Sequence, residues 1–315
     1  MISIVVPVMN EEESLEAFYK EITRVVPTLS KEYEFVFIDD GSTDKSLSML
    51  QELAQRDTHV RVFSFRKNHG KAEALTLGFQ MAKGETIVTL DADLQDRPDQ
   101  IKKLLDKMDD SYEMVSGWRK DRHDSPAKVF ASRIFNYFAG SFWGLNLHDY
   151  NCGLKAYTGD AAKSLKLYGG MHRFIPLIAY QNGFSVAEVP VVHDERKFGK
   201  SKYGYGILKI FKNLPDMFTM LFLIRYSKRP LHFFGILGSL FSLIGCITLL
   251  YLWVIHTFYK VTVGGRPSLF IGTVCIIAGL QIFFTGFLAE LLINLHSGQR
   301  VEDYTSHLRF NSDKK

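Results

Sequence analysis

A chain of 315 residues is long enough for two average domains, or for one domain of about 200 residues with an appendage. Hydrophobic residues make up 46% and charged residues 23%, with 24 Gly and 9 Pro, which excludes intrinsic disorder and collagen-like repeats and supports a sizeable core. The formal net charge is only +4, yet residues 191–229 hold nine Lys/Arg against three Asp/Glu, so positive charge is concentrated in one segment suited to nucleic acid, a phosphorylated substrate or anionic lipid.

From the N-terminus, residues 1–10 carry no Lys or Arg and run into acidic residues, which argues against a signal peptide. Residues 2–8 are a β-branched run read as a strand, and residues 15–26 have helical spacing. A strand over 35–38 ends in Asp39 and Asp40. A helix over 46–55, a strand over 60–64, a helix over 71–82 and a strand over 86–90 ending in Asp91 follow. Alternation of this kind implies crossover connections and an α/β fold with a mainly parallel sheet covered by helices. Ligands of such sheets bind at the carboxyl ends of the strands.

Three polar clusters fall at those ends. Pro7, Val8, Met9, Asn10 and Glu11 follow the first strand; read alone they form a strand-to-helix turn in which Asn10 caps the helix. Asp39-Asp40-Gly41-Ser42-Thr43-Asp44 places carboxylates where they can accept hydrogen bonds from a base or ribose, with Gly41 permitting a tight turn. The plainer reading is that Thr43 or Asp44 caps the next helix. Asp91-Ala92-Asp93 sets two carboxylates either side of one small residue. Both can approach a hard divalent cation, Mg²⁺ or Mn²⁺, whose other positions go to phosphate oxygens and water.

The three cysteines, Cys152, Cys246 and Cys275, have no CxxC spacing, and two lie in apolar runs, so neither a disulfide framework nor a zinc site is supported. Residues 205–229 read as amphipathic helix broken at Pro215, with Lys209 and Lys212 among apolar residues: an interfacial helix on a membrane surface, or else a helix packed on the N-terminal domain.

Residues 230–256 contain no Asp, Glu, Lys or Arg, and neither do residues 267–289. Each run exceeds the roughly 20 residues that cross a bilayer core. Two membrane spans over 230–256 and 267–295 are expected, the alternative being buried core helices. Arg225, Lys228 and Arg229 precede the first span, and Arg300, Arg309, Lys314 and Lys315 follow the second, against Lys260 and Arg266 between them. The positive-inside rule then places the N-terminal domain (1–204), both termini and the tail (296–315) on the cytoplasmic side of a cell membrane. The basic segment therefore abuts a membrane, which favours lipid and phosphate over nucleic acid. Glu290 and Gln281 are polar groups within the second span. Gly235/Ser239 and Gly238/Ser242 are small-residue pairs that permit close helix packing and suggest a homo-oligomer.

Ile4-Val5-Val6-Pro7-Val8-Met9-Asn10-Glu11, Ile38-Asp39-Asp40-Gly41-Ser42-Thr43-Asp44, Asn68-His69-Gly70-Lys71 and Asp91-Ala92-Asp93-Leu94-Gln95, in this order, resemble a family 2 glycosyltransferase of the GT-A fold. Gly117-Trp118-Arg119, Asn151-Cys152-Gly153-Leu154-Lys155 and Arg196-Lys197-Phe198-Gly199-Lys200-Ser201-Lys202-Tyr203 resemble the branch that transfers sugars to polyprenyl phosphates, with the bactoprenol glucosyltransferase type closer than the dolichol-phosphate mannosyltransferase type. The resemblance covers essentially the whole chain.

It implies that Pro7, Met9, Glu11, Asp39, Asp40, Ala92, Gln95 and Arg119 serve the nucleotide-sugar donor, and that Asp91 and Asp93 hold Mg²⁺ or Mn²⁺. Arg196, Lys200, Ser201 and Lys202 are implied to hold the acceptor phosphate, so that catalysis rests on Asp91, Asp93, Arg196 and Lys202. Asp149, Asn151 and Lys155 approach the sugar or acceptor, or else Lys155 is a solvated strand residue. The activity implied is inverting transfer of glucose from UDP-glucose to undecaprenyl phosphate. GDP-mannose is the alternative donor; a processive polysaccharide synthase and a non-catalytic membrane scaffold are the competing classes. No Arg-Trp dipeptide of the processive type occurs.

Overall fold

Short β-branched runs alternating with amphipathic segments build a seven-stranded sheet with helices on both faces. The computed structural model describes residues 1–120, 144–194, 226 and 229–297, and the chain divides into two units, Met1–Lys212 and Asn213–Lys315. In the first, β1 (Ile2–Val8), α1 (Leu15–Leu29), β2 (Tyr33–Asp39), α2 (Ser46–Arg56), β3 (Val60–Ser64), α3 (Lys71–Met81) and β4 (Thr86–Thr89) alternate. A 3₁₀ turn, Pro98–Gln100, leads into α4 (Ile101–Met108), followed by β5 (Met114–Arg119), β6 (Lys155–Thr158), α5 (Gly159–Ser164), a second 3₁₀ turn (Gly169–Arg173), α6 (Ile175–Gln181) and β7 (Val186–Val191).

The strand order is β3-β2-β1-β4-β6-β5-β7. All neighbours are parallel except at β6, which runs antiparallel to both β4 and β5. The carboxyl ends of the other six strands therefore share one edge of the sheet with the amino end of β6. This departs from the simple β-α alternation read over residues 2–90, and it decides what the site contains.

β1 is central and buried on both faces, which is why its sequence is a continuous apolar run rather than an alternation. Ile4, Val6 and Val8 pack with Phe18 and Ile22 of α1 and Phe35 and Phe37 of β2, while Val5 packs on the other face with Ile38, Leu75 and Phe79. On that second face α3 lies so close to β1 that a Cβ at Gly78 would fall 2.3 Å from Val5 Cγ1. The contact fixes the axis of α3 and hence the place of Lys71, its first residue. At the opposite edge of the sheet, buried Glu34 accepts hydrogen bonds from Ser3 Oγ (2.6 Å), Lys83 N (2.6 Å) and Arg61 Nη1 (2.8 Å). Burial pushes the Glu34 carboxyl up, but the bonds from Ser3, Arg61 and Lys83 override it and hold the group below its ordinary range.

The second unit contains two long helices, α7 (Pro230–Tyr259) and α8 (Pro267–Ser297), each long and apolar enough to cross a membrane. Their outer faces expose Ile236, Leu243, Ile247 and Trp253 on α7 and Phe270, Ile277, Phe284 and Leu288 on α8. The two backbones touch: a Cβ at Gly238 would lie 2.6 Å from Gly279 O, and one at Gly279 would lie 2.3 Å from Ser242 Oγ. The Gly238/Ser242 pair thus serves the hairpin itself. Glu290 also has a local role, for its Oε2 accepts a hydrogen bond from Leu231 N at 3.1 Å. One of the four N–H groups left unpaired at the start of α7 is thereby satisfied from the neighbouring helix.

Candidate active site

Three loops at the carboxyl edge, those after β1, β2 and β3, are tied to one another by side-chain-to-backbone hydrogen bonds. After β1, Asn10 does not cap α1. It takes a left-handed conformation (φ 51°), its N–H donates to Ser42 Oγ (3.0 Å), and its Oδ1 accepts from Thr43 N (2.7 Å). The cap of α1 falls at Ser14, whose Oγ donates to Glu11 Oε2 at 2.9 Å. Glu11 N donates to Ser46 Oγ (2.8 Å), so Glu11 belongs to the seam between the first two loops. Asp44 accepts from Ser46 N at 2.9 Å, in keeping with the plainer capping reading, and from Glu12 N at 3.2 Å.

The paired carboxylates after β2 are both buried. Asp39 accepts from Ser42 N (3.2 Å) and Ser64 Oγ (2.7 Å), and Asp40 from His69 N (2.7 Å) and Gly70 N (2.9 Å). Burial raises the Asp40 carboxyl despite these backbone bonds. In this structure the two carboxylates organise the loops around the edge. Gly41 is required here, because at φ +67° its Cα hydrogen faces the next loop, where a Cβ would lie 2.5 Å from Lys67 C. Asn68 Nδ2 in turn meets Met9 Sδ at 3.4 Å, and Pro7 ends the wall at β1, half-buried.

The turn after β4 carries Asp91, Ala92, Asp93, Gln95 and Asp96. Ala92 is buried, and Leu94 takes a left-handed φ of 59° that lets the turn fold back so that Gln95 N reaches Asp93 Oδ1 at 3.2 Å. Lys71 Nζ lies 2.5 Å from Asp91 Oδ1, each side chain about one-third exposed. Burial alone would raise the Asp91 carboxyl; the Lys71 ammonium overrides it, with Lys155 and His172 adding, and holds it below the carboxylate range. A Cβ at Gly153 would fall 2.6 Å from both Asp91 Oδ2 and Asp96 Oδ2, so the bare backbone of Gly153 forms a cradle for two carboxylates. Asp96 is held from its other side by His193 Nδ1 at 2.9 Å.

Beside Asp91 opens a cavity lined by Lys71, Asn151, Lys155, Tyr157 and His172. Lys155 is not a solvated strand residue: it is buried and donates to Cys152 O, and burial lowers its pKa. Burial, with Lys71 and Arg173 nearby, pushes His172 down to about 4, so it is neutral at pH 7. Burial pushes the Cys152 thiol up to about 12, which makes it a packing residue and not a nucleophile. Tyr157 Oη is buried beside Thr89, whose hydroxyl donates to Gly153 O at 2.9 Å.

Arg119, at the end of β5, is engaged with Asp149 through Nε (2.7 Å) and Nη2 (3.1 Å), and Asp149 is 1% exposed. The pair braces the segment that presents Asn151 and Gly153, a bracing role that the donor expectation for Arg119 did not contain. Arg196, Lys200, Ser201 and Lys202 lie outside the described residues, as does most of 205–229.

The carboxylates fit a divalent cation of the hard class. Among the described residues no three His, Cys, Asp or Glu side chains form a closed cage. Asp91 and Asp93 are hard oxygen donors of the kind suited to Mg²⁺ or Mn²⁺ that completes its shell with phosphate and water. Lys71, Asp96 and His172 were given no role by sequence reasoning. Lys71 was visible only as the residue that follows the Gly70 turn, and Asp96 only as a third acid after Asp93.

A family model described as Glycosyl transferase family 2 matches residues 3–165. A dodecaprenyl-phosphate galacturonate synthase of Rhizobium johnstonii is 34% identical over 296 residues, covering 92% of this chain and 87% of that protein. An undecaprenyl-phosphate 4-deoxy-4-formamido-L-arabinose transferase of Edwardsiella ictaluri is 36% identical over 245 residues, 78% of this chain and 73% of that protein. Among solved structures, glucosyl-3-phosphoglycerate synthase from Mycobacterium tuberculosis with Mn²⁺, UDP-glucose and phosphoglyceric acid matches with a TM-score of 0.53 at 20% identity, covering 71% of this chain and 78% of that one. The fold is the α/β arrangement anticipated from the motifs.

Proposed function

This chain belongs to glycosyl transferase family 2, and from that membership we propose that it transfers glucose from UDP-glucose to undecaprenyl phosphate at a membrane surface, with inversion at the anomeric carbon. It is an enzyme, a glycosyltransferase that acts on polyprenyl phosphate. The observation that carries the reading is the convergence of Asp91 and Asp93 with the loops after β1, β2 and β3 on one sheet edge, in a chain whose relatives, over most of its length, use dodecaprenyl and undecaprenyl phosphates. The names of those relatives favour a second donor class, a nucleotide-linked uronate or modified pentose.

The nucleotide lies against Pro7, Met9 and Glu11, within loops that Asp39 and Asp40 hold in shape. Asp91 and Asp93 would hold Mg²⁺ or Mn²⁺, with Gln95 beside them; when bound, the cation supplies Lewis-acid stabilisation of the diphosphate leaving group. The acceptor phosphate is already ionised near pH 7, so positioning matters more than proton removal. Arg196, Lys200, Ser201 and Lys202 orient that phosphate while the prenyl chain stays in lipid. Residues 1–204 form the catalytic domain, 205–229 lie on the membrane surface, and α7 and α8 anchor the chain in a cell membrane with both termini cytoplasmic.

Membranes expressing the protein, given labelled nucleotide sugars one at a time, should transfer label into an organic-extractable lipid, with UDP-glucose the best donor. Asp91→Asn or Asp93→Asn should abolish transfer without unfolding the protein, and Lys202→Ala should raise the apparent KM for polyprenyl phosphate more than that for donor. Better use of UDP-galacturonate would replace the glucose reading by the uronate one. Transfer that survives both Asn variants in excess chelator would refute the metal assignment.

A further inference from the structure

Lys71 has no part in the reading above, yet it occupies the carboxylate on which that reading depends. We infer that Lys71 is the counter-cation of Asp91 in the donor-free protein and moves to the donor diphosphate when a divalent cation takes Asp91; this rests on Asp91 and Asp93 being the metal's ligands.

The two oxygens of Asp91 are not equivalent. Oδ2 is packed against Gly153 so closely that a Cβ there would lie 2.6 Å away, and Asp96 Oδ2 closes on the same point. Oδ1 is the other acceptor, and Lys71 Nζ holds it at 2.5 Å. A divalent cation arriving at Asp91 and Asp93 therefore meets an ammonium already in hydrogen-bond contact with its ligand, and the like charges repel.

The pair is built to part. Both side chains are about one-third exposed, so each charge keeps access to solvent or to an incoming partner when the pair separates. The backbone of Lys71 stays fixed, because His69 N and Gly70 N are pinned to Asp40 and α3 is seated on β1 at Gly78. Only the four-carbon stem is left to swing. A lysine is a compact point charge with three rotatable donors, suited to following negative charge from a carboxylate to a phosphate oxygen. Once a metal neutralises Asp91 and Asp93, the diphosphate is the anion that enters the same space, while Lys155 lines the same cavity as a second basic group.

The test uses the full chain in detergent. Free Mn²⁺ is titrated by electron paramagnetic resonance without nucleotide, and UDP binding at saturating Mn²⁺ is measured by calorimetry. Lys71→Met should bind Mn²⁺ about tenfold more tightly than wild type and UDP about tenfold more weakly, the scale of one charged neighbour at a partly exposed site. Lys71→Arg should stay near wild type in both. Lys71→Gln, read in parallel, gives a second neutral side chain in case the methionine variant folds poorly. Unchanged or weaker Mn²⁺ binding in the neutral variants, or unchanged UDP binding, overturns the inference. Wild-type Mn²⁺ affinity in Asp93→Asn would instead overturn the metal reading beneath it.

Discussion

Replacing Gly153 by alanine places one methyl group in the wall of the site. The new Cβ would lie 2.6 Å from Asp91 Oδ2, 2.6 Å from Asp96 Oδ2 and 2.9 Å from Asp91 Cγ, where ordinary contact begins at 3.4 Å. The carboxylates must retreat by about 0.5–0.8 Å, and neither is free to do so: Asp91 Oδ1 is held by Lys71 and Asp96 Oδ1 by His193. Overpacking of this size costs about 1–3 kcal/mol of stability, which a domain of this size tolerates. Misplacement of a reacting group by about 1 Å costs roughly 100-fold in rate. Gly153→Ala should therefore lower kcat/KM for lipid glycosylation by about two orders of magnitude and weaken Mn²⁺ binding, with the circular dichroism spectrum unchanged. Gly264→Ala is the control, because a Cβ there meets nothing within 4 Å. Transfer by Gly153→Ala within threefold of wild type would show that the Asp91 geometry is not what the reaction depends on.

Two further outcomes follow from groups away from the chemistry. Glu34→Gln should destabilise the catalytic domain by about 1–3 kcal/mol at pH 7, because a buried carboxylate with three donors is replaced. Its folded-state pKa is depressed, so the wild-type advantage is fully present above the unfolded value and is lost as pH falls from about 4.5 through the folded value; thermal unfolding of both proteins from pH 7 to about pH 3 should show the gap closing at the acid end, and a gap that widens contradicts the assignment. Glu290→Ala should lower the unfolding temperature in detergent by the equivalent of about 1 kcal/mol through loss of the bond to Leu231 N, while Glu290→Gln, which keeps an acceptor, loses less. Equal melting of all three would deny the capping role.

The elements that were legible are those whose burial imposes a pattern along the chain. β1 and β2 are buried on both faces and read as continuous β-branched and aromatic runs, and Asp91 and Asp93 are near neighbours, so the paired carboxylates of one turn can be seen in three residues. Asn10 was misread for the opposite reason. As a local element it is a good helix cap, but its side-chain Oδ1 is claimed by Thr43 N and its backbone N–H by Ser42 Oγ, from a loop more than thirty residues away, tertiary contacts that no local propensity contains.

β6 marks the sharper limit. Its four residues, Lys155–Thr158, have no apolar run, and its pairing with β4 and β5 is entirely long-range. Yet its antiparallel direction is what carries its amino end, with Gly153 and Lys155, to the edge where Asp91 emerges from β4. Had β6 been parallel, Thr158 would have taken that place and Lys155 would lie at the far side of the sheet, three residues or about 10 Å away. The acidic half of the site is thus written in one turn. Its cationic half, Lys71 and Lys155, is assembled from α3 and β6, two segments that meet only through the order of strands in the sheet. A motif with its ligands close in sequence can be read before folding, whereas the charges that tune it are set by topology, which is why Lys71 was seen as part of a motif long before it could be seen as the partner of Asp91.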